Sequence, residues 1–372
     1  MTVAGGFPTY DAERRLAEAT AEGVVPVPLH GTPSPALPAH VVDAVASTLS
    51  RPMAAPPPRG LATLREAYAD ELERSAGRRV DPATELLVTH GAMHALSVTM
   101  RGLLQPGDEV VVPAPCFFFD GPIRGAGGTP VYVSSTEADG WRWDAVAIGQ
   151  AVGPRTRALL LCNPGNPTGN VPTLEQVAPV VALATGHGLP IVTDEAYEGC
   201  IWQGSALASA FPLADDVIVI RSLGKSLALP QLRVGVVAGP AHRLDAIAQV
   251  LEWDCLRVGL PAQDAAVAVL TGPREWLADV YRALDADRAV ALAAVTDTPG
   301  LTAVPPEAAP FLFVRAEEGG EVAPGLLAEG LPVVDGAAFQ APGYARLVFG
   351  GAAKVEDRLR DALGRWSRSR GG

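Results

Sequence analysis

The sequence predicts an α/β protein: a mostly parallel, seven-stranded sheet with helices on both faces, followed by a smaller α+β domain. Three observations predict it. Short apolar or β-branched runs alternate with helical stretches between Leu86 and Val237, as in a parallel sheet sandwiched by helices. Beyond Pro261 that rhythm breaks and a helical period takes over. The chain has 372 residues, a length that favours about two cores over one.

Taken in order, residues 11–22 (DAERRLAEATAE) have helical spacing, and Pro26, Pro28, Pro33, Pro35 and Pro38 then prevent regular structure, giving an arm and a threaded loop. Helices are expected over 41–49 and 61–74, separated by Pro56, Pro57 and Pro58. Strands are expected at 86–89, 109–112, 131–133, 158–162, 190–193, 217–221 and 234–237, with helices over 92–104 and 174–185 among the connections. Helices follow over 263–270 and 275–294, then strands at 311–314 and 345–349, and a closing helix over 355–366. The domains divide accordingly into an arm with its loop (1–40), a large domain (41–270) and a small domain (271–372).

The formal charge of −12 would repel a nucleic-acid backbone or an anionic membrane surface, and no basic run compensates it. Arg365, Arg368 and Arg370, before Gly371 and Gly372, read as a solvated, frayed end. Cys116, Cys162, Cys200 and Cys255 are widely spaced, without a CxxC pair, and read as free thiols. The first ten residues lack the charged-then-apolar order of a signal peptide, and no run approaches the ~20 apolar residues of a membrane span. The cytoplasm is the expected compartment.

Lysine is rare: only Lys225 and Lys354 occur, because almost every cation is an arginine. A guanidinium stays protonated, whereas a lysine amine can lose its proton and condense with an aldehyde. Ligands of open α/β sheets sit beyond the carboxyl ends of the strands, so the residues delivered there carry the chemistry. The fourth strand run ends in NPGNPTG from Asn163 to Gly169, the fifth in Asp194, Glu195, Ala196 and Tyr197, and the sixth in Ser222, Leu223, Gly224 and Lys225. Arg233 follows the lysine by eight positions and precedes Gly235.

In order and spacing these motifs resemble the fold type I pyridoxal phosphate (PLP) aminotransferases of the aspartate and kynurenine aminotransferase group, from the loop around Gly31 to Arg346. The resemblance implies that Lys225 carries PLP as an imine and, once released, moves a proton at the substrate Cα. Asp194 is expected against the pyridine nitrogen, keeping it cationic, and Tyr197 and Asn166 against the ring's phenolic oxygen. Backbone amides of Gly91, Ala92 and Met93 at a helix start, with the Ser222 hydroxyl and the Arg233 guanidinium, are expected to hold the phosphate. Phe117 is the candidate ring-stacking residue, with Phe118 or Phe119 as fallback. Arg346, in ARLVFG, matches the arginine that takes the substrate α-carboxylate, with Asn166 beside it; Gly31 matches the glycine of the covering loop, and His30 is expected to touch the substrate side chain. The implied reaction is transamination between an α-amino acid and a 2-oxo acid through the Lys225 imine and the pyridoxamine form of the cofactor. The implied assembly is a homodimer.

Three positions depart from the pattern. Many relatives place a tyrosine for the neighbouring subunit's phosphate five residues before the glycine of the GxxxLR segment (here Gly60, Leu64, Arg65), where this chain has Ala55. Gly224 precedes the lysine where a small hydroxyl residue or alanine is common, and Gln231 replaces a glycine after Pro230. The same electron sink also supports elimination, ring closure or oxidation, which the sequence leaves open. Rival readings have weaker support. Gly224, Lys225 and Ser226 would end a nucleotide-binding P-loop, but Val219 stands where its first glycine is required. His90 and His94 share helical spacing, but no third metal ligand is evident, so no metal is expected. A sensor that kept the fold and lost catalysis would have no need of an imine-forming lysine.

Overall fold

The computed structural model describes residues 6–50, 52, 55–202 and 204–370. The large sheet contains β1 (Leu86–Thr89), β2 (Glu109–Ala114), β3 (Thr129–Ser134), β4 (Thr156–Cys162), β5 (Ile191–Asp194), β6 (Val217–Arg221) and β7 (Gly235–Ala238). Its spatial order is β1-β7-β6-β5-β4-β2-β3. Only β7 runs antiparallel to its neighbours.

Side chains alternate across a strand, so each apolar run supplies two cores. Leu86, Val88, Leu159, Leu161, Val217 and Val219 face one side. There they meet α3 (Ala62–Ala76), α7 (Leu174–Gly186) and α10 (Leu260–Thr271), with α2 (Ala39–Leu49) and α6 (Ala145–Ala151) on the same layer. Leu87, Val110, Leu160, Val192 and Ile220 face the other side, against α4 (Gly91–Leu103), α5 (Asp120–Gly125) and α9 (Ala241–Cys255). Helix α9 was not anticipated, although Leu244, Ile247, Ala248 and Leu251 mark its buried stripe at helical spacing.

The second sheet is wholly antiparallel, ordered β10 (Val333–Asp335), β11 (Tyr344–Val348), β9 (Phe311–Ala316), β8 (Leu301–Ala303). Strands β8 and β10 have three residues each, too few to display a period, and were missed. Helices α11 (Glu275–Thr296), α12 (Ala323–Ala328) and α13 (Glu356–Arg370) cover this sheet. The arm helix α1 (Pro8–Ala21) packs against α12 and β10.

The basic tail corrects its reading as a frayed end. Helix α13 continues to Arg370, Arg365 pairs with Glu329 at 2.7 Å, and the Arg370 guanidinium lies 5.3 Å from the Trp366 ring centre. Those contacts hold the last turn; Gly371 and Gly372 lie outside the described residues. All four cysteines are free. Among the described residues no helix is long and apolar enough to cross a membrane.

Candidate active site

One edge of the large sheet gathers the motif residues. Parallel strands β1, β4, β5 and β6 deliver their carboxyl ends there, and antiparallel β7 delivers its beginning, which explains why Arg233 precedes a strand while Asp194 and Ser222 end or follow one. At this edge lies a cavity of about 300 Å³, lined by Ala92, Met93, Phe117, Asn166, Asp194, Tyr197, Ser222, Lys225, Arg233 and Arg346 of the expected set. Phe7, Thr9, Leu96, Cys162, Pro164 and Ala196 complete its wall.

Lys225 stands on the single-turn helix α8 (Leu223–Ser226) directly after β6. The Tyr281 hydroxyl donates to the carbonyls of Lys225 and Ser226 at 3.0 and 2.8 Å, fixing this turn from α11. The amine donates to the Thr32 hydroxyl. Burial, then the charges of Arg346 and Arg233, lower its pKa to about 8 from the usual 10.5. Lys354, by contrast, is exposed on the surface.

Asp194 closes β5, is 5% exposed, and accepts a 3.0 Å hydrogen bond from the Ala196 amide. Burial pushes its carboxyl up to about 7. Next to it, Glu195 is buried against Arg221 at 2.7 Å; Ser209 donates to Glu195 at 2.5 Å, and Arg221 donates to Ser75 at 2.7 Å. This satisfied ion pair joins the end of β5 to that of β6, and so fixes Asp194 relative to Ser222 and Lys225. Burial raises the Tyr197 phenol above its ordinary value.

Gly91 does not line the cavity but shapes it. It opens α4 at φ +78°, and a Cβ there would stand 2.9 Å from the Arg233 guanidinium. A Cβ on Gly235 would come within 2.8 Å of the Gly91 carbonyl carbon, so two glycines bring the start of β7 against the helix N-terminus. Helix amides, a hydroxyl and a guanidinium are thus gathered where an anion is favoured.

Arg346 is 8% exposed in the middle of β11, so its guanidinium is held inside the protein rather than at its surface. One guanidinium nitrogen donates to Asn166 Oδ1 at 2.9 Å, while its Nε is buried without a partner. Rings of Phe339, Phe311 and Phe118 lie 4.9, 5.3 and 5.8 Å from the guanidinium carbon.

Other expected residues fall elsewhere. His30 is exposed; its backbone pairs with Gly350, and its ring lies against Gly350 rather than the cavity. Gly31 is half-buried beside Val348, whose side chain would stand 3.7 Å from a Cβ there. That loop reaches the site through Thr32 instead. Phe119 is fully buried in the core, and Phe118 packs on Phe339 at 4.8 Å, leaving Phe117 on the cavity wall. His94 accepts a hydrogen bond from the His90 amide at 3.1 Å and meets Asp254 at 3.2 Å, a capping arrangement at the α4 start. Thr32, Phe7, Thr9 and Tyr281 carry no local motif, and only the folded chain brings them here.

Class I and II aminotransferases match this chain over residues 30–363. The chain belongs to the class I and II aminotransferases. It is 30% identical to the aspartate aminotransferase of Geobacillus stearothermophilus over 335 residues, covering 86% of this chain and 85% of that protein. A probable aspartate/prephenate aminotransferase of Thermus aquaticus is 32% identical over 370 residues, covering 97% and 96%. Thermus thermophilus aspartate aminotransferase with maleate superposes with a TM-score of 0.90 at 30% identity, covering 98% of this chain and 97% of that one. This aminotransferase has the fold type I architecture and uses pyridoxal 5'-phosphate to transfer amino groups between amino acids and 2-oxo acids. The cavity fits that cofactor: an amine for the aldehyde, a carboxylate for the ring nitrogen, an aromatic ring, and an anion cradle kept open by Gly91 and Gly235.

Proposed function

We propose that Lys225 is the cofactor-anchoring and proton-transferring residue of a transaminase acting on an α-amino acid. The observation that carries this is a partly buried amine with a pKa near 8, on the same cavity wall as the buried Asp194 carboxylate. When bound, PLP supplies an aldehyde that condenses with amines and a ring that accepts electrons from a breaking Cα bond. With its pKa lowered, Lys225 is substantially neutral near pH 8, as both condensation and proton abstraction from the substrate Cα require.

Asp194 would face the ring nitrogen, where its carboxylate would hold that nitrogen in its protonated form. Tyr197 and Asn166 would hydrogen-bond the phenolic oxygen. Ser222, Arg233 and the amides of Gly91, Ala92 and Met93 would hold the phosphate, and Phe117 would stack on the ring. Arg346 takes the α-carboxylate; its unpartnered Nε and its bond to Asn166 support a guanidinium held ready for an anion.

A homodimer in the cytoplasm, with the arm and loop (1–40), large domain (41–270) and small domain (271–372) arranged around the site, completes the proposal. Two large apolar side chains support a covered face: Trp253 is 92% and Leu256 75% exposed, beside the 55–58 loop that Arg257 contacts at Pro56. Four free cysteines agree with a reducing compartment. The test is to add amino acids singly to the holoenzyme and follow the cofactor spectrum and products. One 2-oxo acid per site, without ammonia, is expected. Released ammonia or a cyclised product would contradict transamination.

A further inference from the structure

The Lys225 side chain reaches the cavity, but where its amine stands is decided by the backbone of α8, which has only four residues. So short a helix cannot satisfy its own last carbonyls. The chain leaves it through Ala228 at φ +52°, a left-handed conformation that ends the helical run. Donors for those carbonyls come from beyond the helix. The Ala228 amide reaches the Lys225 carbonyl at 3.2 Å, and the Tyr281 hydroxyl serves the carbonyls of both Lys225 and Ser226 at 3.0 and 2.8 Å. A second element closes on the same turn: a Cβ on Gly199 would stand 2.8 Å from that of Ser226.

Tyr281 is itself firmly held. Four residues before it on α11, Leu277 is buried in the core beneath the large sheet; three residues after it, Leu284 is buried in the core of the second sheet. These spacings share one helix face, and Tyr281 packs against both cores where the helix crosses from one to the other. Further along, Asp287 accepts from the Gly351 and Ala353 amides at 2.7 and 2.9 Å, pinning α11 to the segment after β11. Burial pushes the Tyr281 phenol well above its ordinary pKa, so it stays neutral and acts only as a hydrogen-bond donor.

We infer that Tyr281 is a positioning residue, whose hydroxyl fixes the α8 turn so that the Lys225 amine stands at the distance and angle that proton transfer needs. The inference rests on the role proposed for Lys225 and adds to it the residue that sets its geometry. Misplacing a reacting group by about 1 Å can cost about 100-fold in rate. Substrate affinity, set by Arg346 and the cavity wall, does not pass through α8, so the effect falls on kcat rather than KM.

The test is Tyr281→Phe, which removes one oxygen and no charge and keeps the ring between the two cores. In the holoenzyme kcat is expected to fall about 10- to 50-fold with KM within about twofold of the wild type. The second readout needs no turnover. The groups acting on the amine's charge are Arg346, Arg233, Cys200 and Asp194, and the substitution alters none of them. The pH midpoint at which cofactor-free protein condenses with PLP should still rise, because a loosened amine is less buried and further from two guanidinium groups. A loss of stability alone would leave that midpoint where it was. Gly199→Ala, which presses on Ser226, is the second variant and is expected to lower kcat at constant KM. Unchanged kcat and midpoint in Tyr281→Phe, with borohydride still fixing the cofactor to Lys225, would overturn the inference and keep the proposed role of Lys225. A rise in KM at constant kcat would overturn it too. Cofactor fixed to another residue would defeat both.

Discussion

The two walls of the cavity are built differently. The floor comes from adjacent strand ends of one sheet, locked by the buried Glu195–Arg221 pair and the strand register Asp194↔Ile220. The opposite wall is assembled from distant pieces: Phe7 and Thr9 of the arm, Phe117 after β2 and Arg346 of the small sheet, with Thr32 of the following loop reaching the Lys225 amine. A floor fixed by backbone register suits chemistry common to many substrates. A wall made of separate segments can change its side chains without disturbing that chemistry, which is where specificity belongs.

Floor substitutions are expected to abolish turnover or stability and wall substitutions to redistribute turnover among substrates. Lys225→Ala is expected to lower kcat by at least about 10,000-fold while the chain stays folded, since with the role proposed for Lys225 it removes both anchor and base; circular dichroism and single-turnover assays check both halves. Glu195→Ala strands a buried guanidinium and is expected to cost about 3–5 kcal/mol in denaturant unfolding. On the wall, Arg346→Lys keeps the charge but loses the planar fork. It is expected to lower kcat/KM about 100-fold, mostly through KM.

A pH titration sharpens the comparison at the point where the walls meet. Burial and two guanidinium charges lower the Lys225 pKa, so its neutral fraction rises with pH around about 8 rather than the usual 10.5. The rate at which cofactor-free protein condenses with added PLP should rise through that midpoint. In Arg346→Gln the second-largest cause of the shift is gone, and the midpoint should move upward. Thr32→Val, which removes only the hydroxyl facing the amine, is expected to change kcat less than about tenfold.

The same division explains what was legible in the sequence. Strand runs with motif residues at their ends could be read because strand, turn and function are neighbours in the chain; Asp194 and Lys225 follow from that logic. Phe7 and Thr32 could not, because no local pattern separates a cavity-lining phenylalanine or threonine from any other. His30 shows the cost of reading a loop by adjacency: two residues of loop geometry turn its ring toward Gly350 and bring Thr32 to the amine. Arg346 was identified through a motif, but its burial among three phenylalanines depends on β9 to β11 pairing and on the Phe339 turn. Helix α9 carried an ordinary amphipathic signal and was legible but unread.

Reduction of the holoprotein with borohydride, followed by peptide mapping, tests the central claim most directly, because the chain offers only two lysines. The cofactor should be found fixed to the peptide containing Lys225, with Lys354 unlabelled. Label on Lys354, or a folded holoprotein that releases all its cofactor after reduction, would contradict the account.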